Sequence, residues 1–144
     1  MAASGSWFWW ALASAAFAAL TAIFAKIGIA GVDSDFATLV RTVVILVLLA
    51  AFVLATGKWS DPRALSPRTL AFLTLSGLAT GASWVCYFRA LQRGHASQVA
   101  PVDKLSVVLV AIFAFALLGE RPSGREWLGI SLVGGGVLLL ALKR

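Results

Sequence analysis

Charge is scarce in this chain, and so are the side chains that carry out most chemistry. Asp, Glu, Lys and Arg make up 12% of 144 residues, with one cysteine (Cys86) and one histidine (His95). A single thiol excludes an intramolecular disulfide framework, and one thiol plus one imidazole excludes a metal site built from several of either. No nucleophile–base–orienter set, phosphate-binding glycine loop or dinucleotide fingerprint is present. No catalytic residue, metal or cofactor is therefore expected, and the chain does not read as an enzyme. The strict two-residue alternation of a membrane β-barrel is missing as well.

What the chain has is apolar length. Hydrophobic residues make up 60% of it, gathered in five stretches: Phe8–Ala30, Phe36–Thr56, Leu70–Leu91, Val99–Leu118 and Trp127–Leu142. Crossing a bilayer as a helix takes about 20 apolar residues. Backbone N–H and C=O groups find no water there, so each span must be helical. The expectation is an all-α integral membrane protein in which residues 1–144 form one domain of five transmembrane helices. The first stretch reads as a retained helix, not a cleaved secretion signal, because Met1 to Ser6 carries no charged side chain and the apolar run is too long.

The 12 Lys and Arg outnumber the 6 Asp and Glu, giving net charge +6. Basic residues in the hinges of a membrane protein anchor to lipid headgroups, so no nucleic-acid partner is inferred. Hinge chemistry sets the helix ends. Gly31 breaks the first helix, and Ser34 is the expected cap of the second. Asp61-Pro62 and Ser66-Pro67 each pair a cap with proline at a first helical position. Gly94 to Ser97 forms the third hinge. In the fourth, Gly119 and Pro122 stop one helix, and Ser123 with Glu126 forms a capping box for the next.

Threaded up and down, five spans place Trp7, Trp9, Trp10, Trp59 and Trp127 at one boundary (side A) and Trp84 alone near mid-span. That is an aromatic belt. Side A also holds Lys58, Arg63, Arg68, Arg121 and Arg125, while side B holds Arg93, Lys143 and Arg144, with Lys26, Arg41, Arg89 and Lys104 near span ends. This near-balance fits insertion in both orientations, or a single orientation held by a modest bias.

Ionisable side chains within spans cost roughly 3 kcal/mol each at mid-helix. Lys26, Arg41, Arg89, Asp103 and Lys104 all fall in the side-B half. They either snorkel to headgroups or line a polar vestibule, and Asp103, too short to snorkel well, favours the second. Lys26, Arg41, Asp103 and Lys104 are the charged candidates for substrate binding. The first three spans read as free of acidic residues, so the charges suit a carboxylate or phosphate, with Asp103 pairing to Lys26 or Lys104 in an empty site. Trp84 and Tyr87, three residues apart, are aromatic candidates for the same cavity or else packing residues; Cys86 reads as packing and His95 as a hinge residue. Gly77 and Gly81 form a GxxxG pair, and Gly134, Gly135 and Gly136 are the candidate dimer seam, where small residues let helices meet in lipid. A channel is disfavoured because no span shows a continuous polar stripe.

Tyr87-Phe88-Arg89-Ala90-Leu91, Ala100-Pro101, Leu117-Leu118-Gly119-Glu120-Arg121 and the glycines from Gly129 to Gly136 resemble the EamA family of the drug/metabolite transporter superfamily, over essentially the whole chain. The resemblance implies one five-helix repeat unit of an exporter for small polar metabolites, working by alternating access in the bacterial inner membrane. Family members commonly join two such units as inverted repeats around a central cavity. One unit then implies a homodimer, antiparallel, or a five-helix sister chain. The resemblance also implies that Glu120 fixes its hinge by pairing with Arg121 or Arg125. Relatives commonly carry a proline where this chain reads Asp103-Lys104-Leu105-Ser106, so a fourth helix with no kink and an added ion pair is expected. The alternative is a non-transporting accessory subunit that pairs with another membrane protein.

Overall fold

The computed structural model describes residues 6–142; Lys143 and Arg144, counted above for charge, lie outside the described residues. Six helices form: α1 (Ser6–Gly28), α2 (Ser34–Ala55), α3 (Pro67–Arg93), α4 (Ala96–Asp103), α5 (Ser106–Phe113) and α6 (Gly124–Leu142). With α4, α5 and the π-helical turn Ala114–Leu118 read as one segment, five spans are long and apolar enough to cross a bilayer. No strand occurs among the described residues. The fold is all-α, as expected, with each of the five spans beginning two or three residues early. Most large apolar side chains are exposed, Trp10 at 78% and Leu117 at 80% among them, which suits a surface facing hydrocarbon.

The chain divides into two compact units, Phe24–Gln92 and Met1–Ile23 with Arg93–Arg144. In the first of these, Gly31 turns the chain at φ +75°. Asp33, not Ser34, caps α2: its backbone is extended and its Oδ1 accepts from the N–H groups of Asp35 (2.9 Å) and Phe36 (3.0 Å). Ser34 already has its place inside the helix and is buried. Asp61 caps the short 3-10 turn Pro62–Ala64, and Ser66 Oγ accepts from Thr69 N–H ahead of α3, as the hinge motifs indicate. Ile29, Ser34, Thr38, Phe88 and Leu91 are the buried residues here, Leu91 completely so.

In the other unit α6 packs on α4 and α5. The close approach runs through Gly134, where a Cβ would lie 3.0 Å from Val108 Cγ2. The fourth span is interrupted, contrary to the expectation of an unkinked helix. Lys104, Leu105, Val107 and Val108 bond to carbonyls three residues back, a tighter winding than the α-helix. Pro101, inside α4, supplies no N–H and crowds the carbonyl four residues before it, so this helix is weakened just ahead of the break. Farther along, the π-helical turn ends at Gly119, φ +69°, whose left-handed backbone suits glycine. Ser123 N–H and Oγ–H then donate to Glu126 Oε2 (2.6 and 2.8 Å), the expected capping box. Among the described residues no ion pair joins Glu120 to Arg121 or Arg125; the hinge is held by Gly119 and by that box.

Candidate functional site

The unit Phe24–Gln92 carries a cluster at one helix end. Asp35, in the first turn of α2, receives Arg89 from near the end of α3. Arg89 Nε donates to Oδ1 at 2.9 Å while a terminal nitrogen donates to Oδ2. Both groups sit where the helix dipoles favour them, an acid at an N-terminus and a base towards a C-terminus. The chain therefore does hold an acidic residue within its second span. The apolar run that begins at Phe36 had hidden it, because the helix starts two residues earlier.

Lys26, from the last turn of α1, donates through Nζ to the carbonyl oxygen of Leu91. That carbonyl belongs to the last turn of α3, where helical carbonyls lack intrahelical partners, so the ammonium serves as a C-cap. Gln92 Nε2 donates to Val32 O at 2.9 Å. Arg41 stands about 10 Å along α2 from Ser34 at 1.5 Å per residue. Its guanidinium lies over the Trp84 ring at 4.4 Å from the centroid and over Phe88 at 5.2 Å. A half-buried cation is stabilised by such ring faces. Tyr87, also half-buried, meets Phe88 edge-on at 6.4 Å.

Lys26, Arg41, Trp84 and Tyr87 thus belong to one unit, in which Lys26 ties α1 to α3 and Arg41 ties α2 to α3. Asp103 and Lys104 belong to the other. They pair with each other at 3.3 Å across the break between α4 and α5, both partly exposed. The four sequence-assigned cations of the spans, Lys26, Arg41, Arg89 and Lys104, are each engaged by a group of the chain itself.

Between α2 and α3 runs an open groove of about 600 Å³. Its walls are Asp35, Thr38, Leu39 and Thr42 from α2, and Leu73, Ser76, Gly77, Thr80, Gly81, Trp84 and Val85 from α3. Gly77 and Gly81 leave room here, with nothing within 4 Å of an added Cβ, instead of packing against a helix. Asp35 and the hydroxyls were missed in the sequence. The signal was there: Thr38 and Thr42 are four apart, and Ser76, Thr80, Ser83 and Tyr87 recur on one α3 face. Of the seam glycines, Gly134 is occupied by Val108, while Gly135 and Gly136 meet nothing within 4 Å.

Five apolar spans, with a polar groove between two of them, define a multi-pass membrane protein. Residues 5–142 match the EamA-like transporter family, and the chain belongs to it. It is 60% identical over 139 residues to an uncharacterized transporter in the cobO 3' region of Sinorhizobium sp., covering 96% of this chain and 99% of that one. It is 30% identical over 84 residues to the probable 4-amino-4-deoxy-L-arabinose-phosphoundecaprenol flippase subunit ArnE of Yersinia pestis (strain Pestoides F), covering 58% of this chain and 74% of that one. No solved structure matches.

Proposed function

We propose that this chain is an exporter-like transporter for small polar metabolites in the bacterial inner membrane, working by alternating access. Its 1–144 segment acts as one five-helix repeat unit, and the pathway is completed by a second unit, most simply an inverted copy of itself. The observation that carries this is the α2–α3 groove: hydroxyls, a carboxylate and a tryptophan line a depression in spans that otherwise show apolar surface. Polar lining within hydrocarbon is costly and marks a solute path. The inverted partner follows from symmetry. Transporters of this architecture place the site between two oppositely oriented repeats, and the Sinorhizobium relative is spanned almost end to end by a single unit. In this reading Lys26 ties α1 to α3 and Arg41 ties α2 to α3, Trp84 and Tyr87 border the solute, and Asp103 with Lys104 mark the hinge of the fourth span. Gly135 and Gly136, free of in-chain neighbours, are the part of the glycine run left to form a seam.

A second reading has its own support. ArnE is named a flippase subunit, so the chain could pair with a different membrane protein and move nothing alone. Purified protein in liposomes, loaded in turn with radiolabelled amino acids, sugars and organic anions, separates the two. Flux by the chain alone supports transport. Flux only when a second five-helix chain is co-reconstituted assigns the accessory role.

A further inference from the structure

The hydroxyls of the α2–α3 groove are committed in one direction. Thr38 Oγ1 donates to Ser34 O at 2.7 Å, Thr42 Oγ1 to Thr38 O at 2.8 Å and Thr80 Oγ1 to Ser76 O at 2.9 Å. Each O–H is spent on the carbonyl four residues back. What each offers to the groove is the lone pairs of its oxygen. Asp35 adds carboxylate oxygens, which accept and never donate. Ser76 and the Trp84 indole N–H are the side-chain donors of the lining, and no Lys or Arg belongs to it. The surface is therefore mainly one of hydrogen-bond acceptors set among apolar side chains.

We infer that this groove takes an uncharged polyhydroxyl group, a sugar or sugar alcohol, whose O–H donors meet the Thr38, Thr42, Thr80 and Asp35 oxygens. An anion finds no lining cation, since Arg89 is held by Asp35 and Arg41 lies over the Trp84 ring. A quaternary ammonium brings no donors, and the carboxylate it would seek already has its guanidinium. A polyol matches on both counts, and its C–H faces suit the Trp84 ring and the apolar wall. The group can arrive as a free solute or as a lipid headgroup, because the groove is not enclosed.

The inference rests on the transport reading for its purpose, but binding is measurable without flux. Full-length protein in phosphatidylcholine nanodiscs is tested for binding of radiolabelled D-xylose, with xylitol, glutarate and glycine betaine as competitors of similar size. Xylitol displacing xylose while glutarate and betaine do not is the expected result. Thr42→Val with Thr80→Val weakens xylose binding about tenfold, from two lost neutral hydrogen bonds. Thr42→Ser with Thr80→Ser keeps it, which separates lost oxygens from a lost fold. Thr21→Val, which removes a similarly bonded hydroxyl outside the groove, leaves binding unchanged. Nanodiscs containing monoglucosyl diacylglycerol distinguish the sources: the glycolipid displaces xylose if the groove accepts headgroups and leaves it bound if only free solutes enter. Binding of glutarate or betaine in preference to xylitol overturns the inference, as does a double valine variant that binds like the wild type. Xylose binding with no flux in proteoliposomes overturns the transport reading alone. Glutarate flux with no xylose binding overturns this inference alone.

Discussion

Replacing Gly134 with alanine tests the packing of α6 in a way that depends on sign. A Cβ at this position would stand 3.0 Å from Val108 Cγ2, tighter than nearly all such contacts, so the valine or its helix must give by a few tenths of an ångström. Val108 is β-branched and in a helix is largely confined to one χ1 rotamer, so its methyl cannot swing aside. The helices must separate or the valine must leave its rotamer, which costs roughly 1–3 kcal/mol. Alanine returns about 0.5–1 kcal/mol of the helix stability that glycine forfeits. The net expectation is a loss of about 0.5–2 kcal/mol. Gly135→Ala and Gly136→Ala meet nothing within 4 Å, so in a dilute, monomeric preparation each gains about 0.5–1 kcal/mol. Unfolding by SDS titration in mixed micelles, read by tryptophan fluorescence, supplies the three values. Val108→Ala in the Gly134→Ala background should recover most of the loss, since the clashing methyl is gone. Equal gains at all three glycines would refute the reasoning.

Lys26→Met removes a charge-assisted bond to the last turn of α3 and should cost about 1.5–3 kcal/mol in the same titration, with Lys26→Arg retaining part. A stability loss that leaves solute affinity unchanged would make Lys26 a cap and not a ligand. Leu91, fully buried, should lose about 2–5 kcal/mol on truncation to alanine, while exposed Leu117 changes little. Trp84→Ala uncovers the Arg41 guanidinium, a loss of about 0.5–2 kcal/mol of cation–π stabilisation that Trp84→Phe halves or better. Asp35→Asn separates Arg89 from its acid; the double variant Asp35→Asn with Arg89→Gln should be more stable than the sum of the two single losses, and strict additivity in a double-mutant cycle counts against coupling.

The spans and their hinges were legible because the bilayer leaves the backbone few choices. Apolar length and the Gly, Pro, Asp and Ser punctuation locate the helices to within about three residues. Errors arose where one residue decides a boundary. Asp33 outcompetes Ser34 as cap because its carboxylate reaches two N–H groups from an extended backbone, and that moves Asp35 into the helix and into reach of Arg89. The candidate charges were found by their cost in lipid, but their partners were not. A carbonyl such as that of Leu91 and ring faces such as those of Trp84 and Phe88 are invisible to counting of ionic groups. The groove went unseen because threonine and serine are mild in hydropathy; their spacing of four showed only once two helices framed it. The break at Lys104–Leu105 was misread because a proline was sought at the break, whereas Pro101 stands ahead of it.

A cysteine at Ser60, in the hinge after α2, introduced with Cys86→Ser and labelled by an impermeant maleimide in intact cells and in inverted vesicles, reads out which way each copy faces. Performed on protein that also transports after purification, it predicts two populations, with cross-linking that joins copies of opposite orientation. Transport by a chain found wholly in one orientation, and alone, would contradict the account.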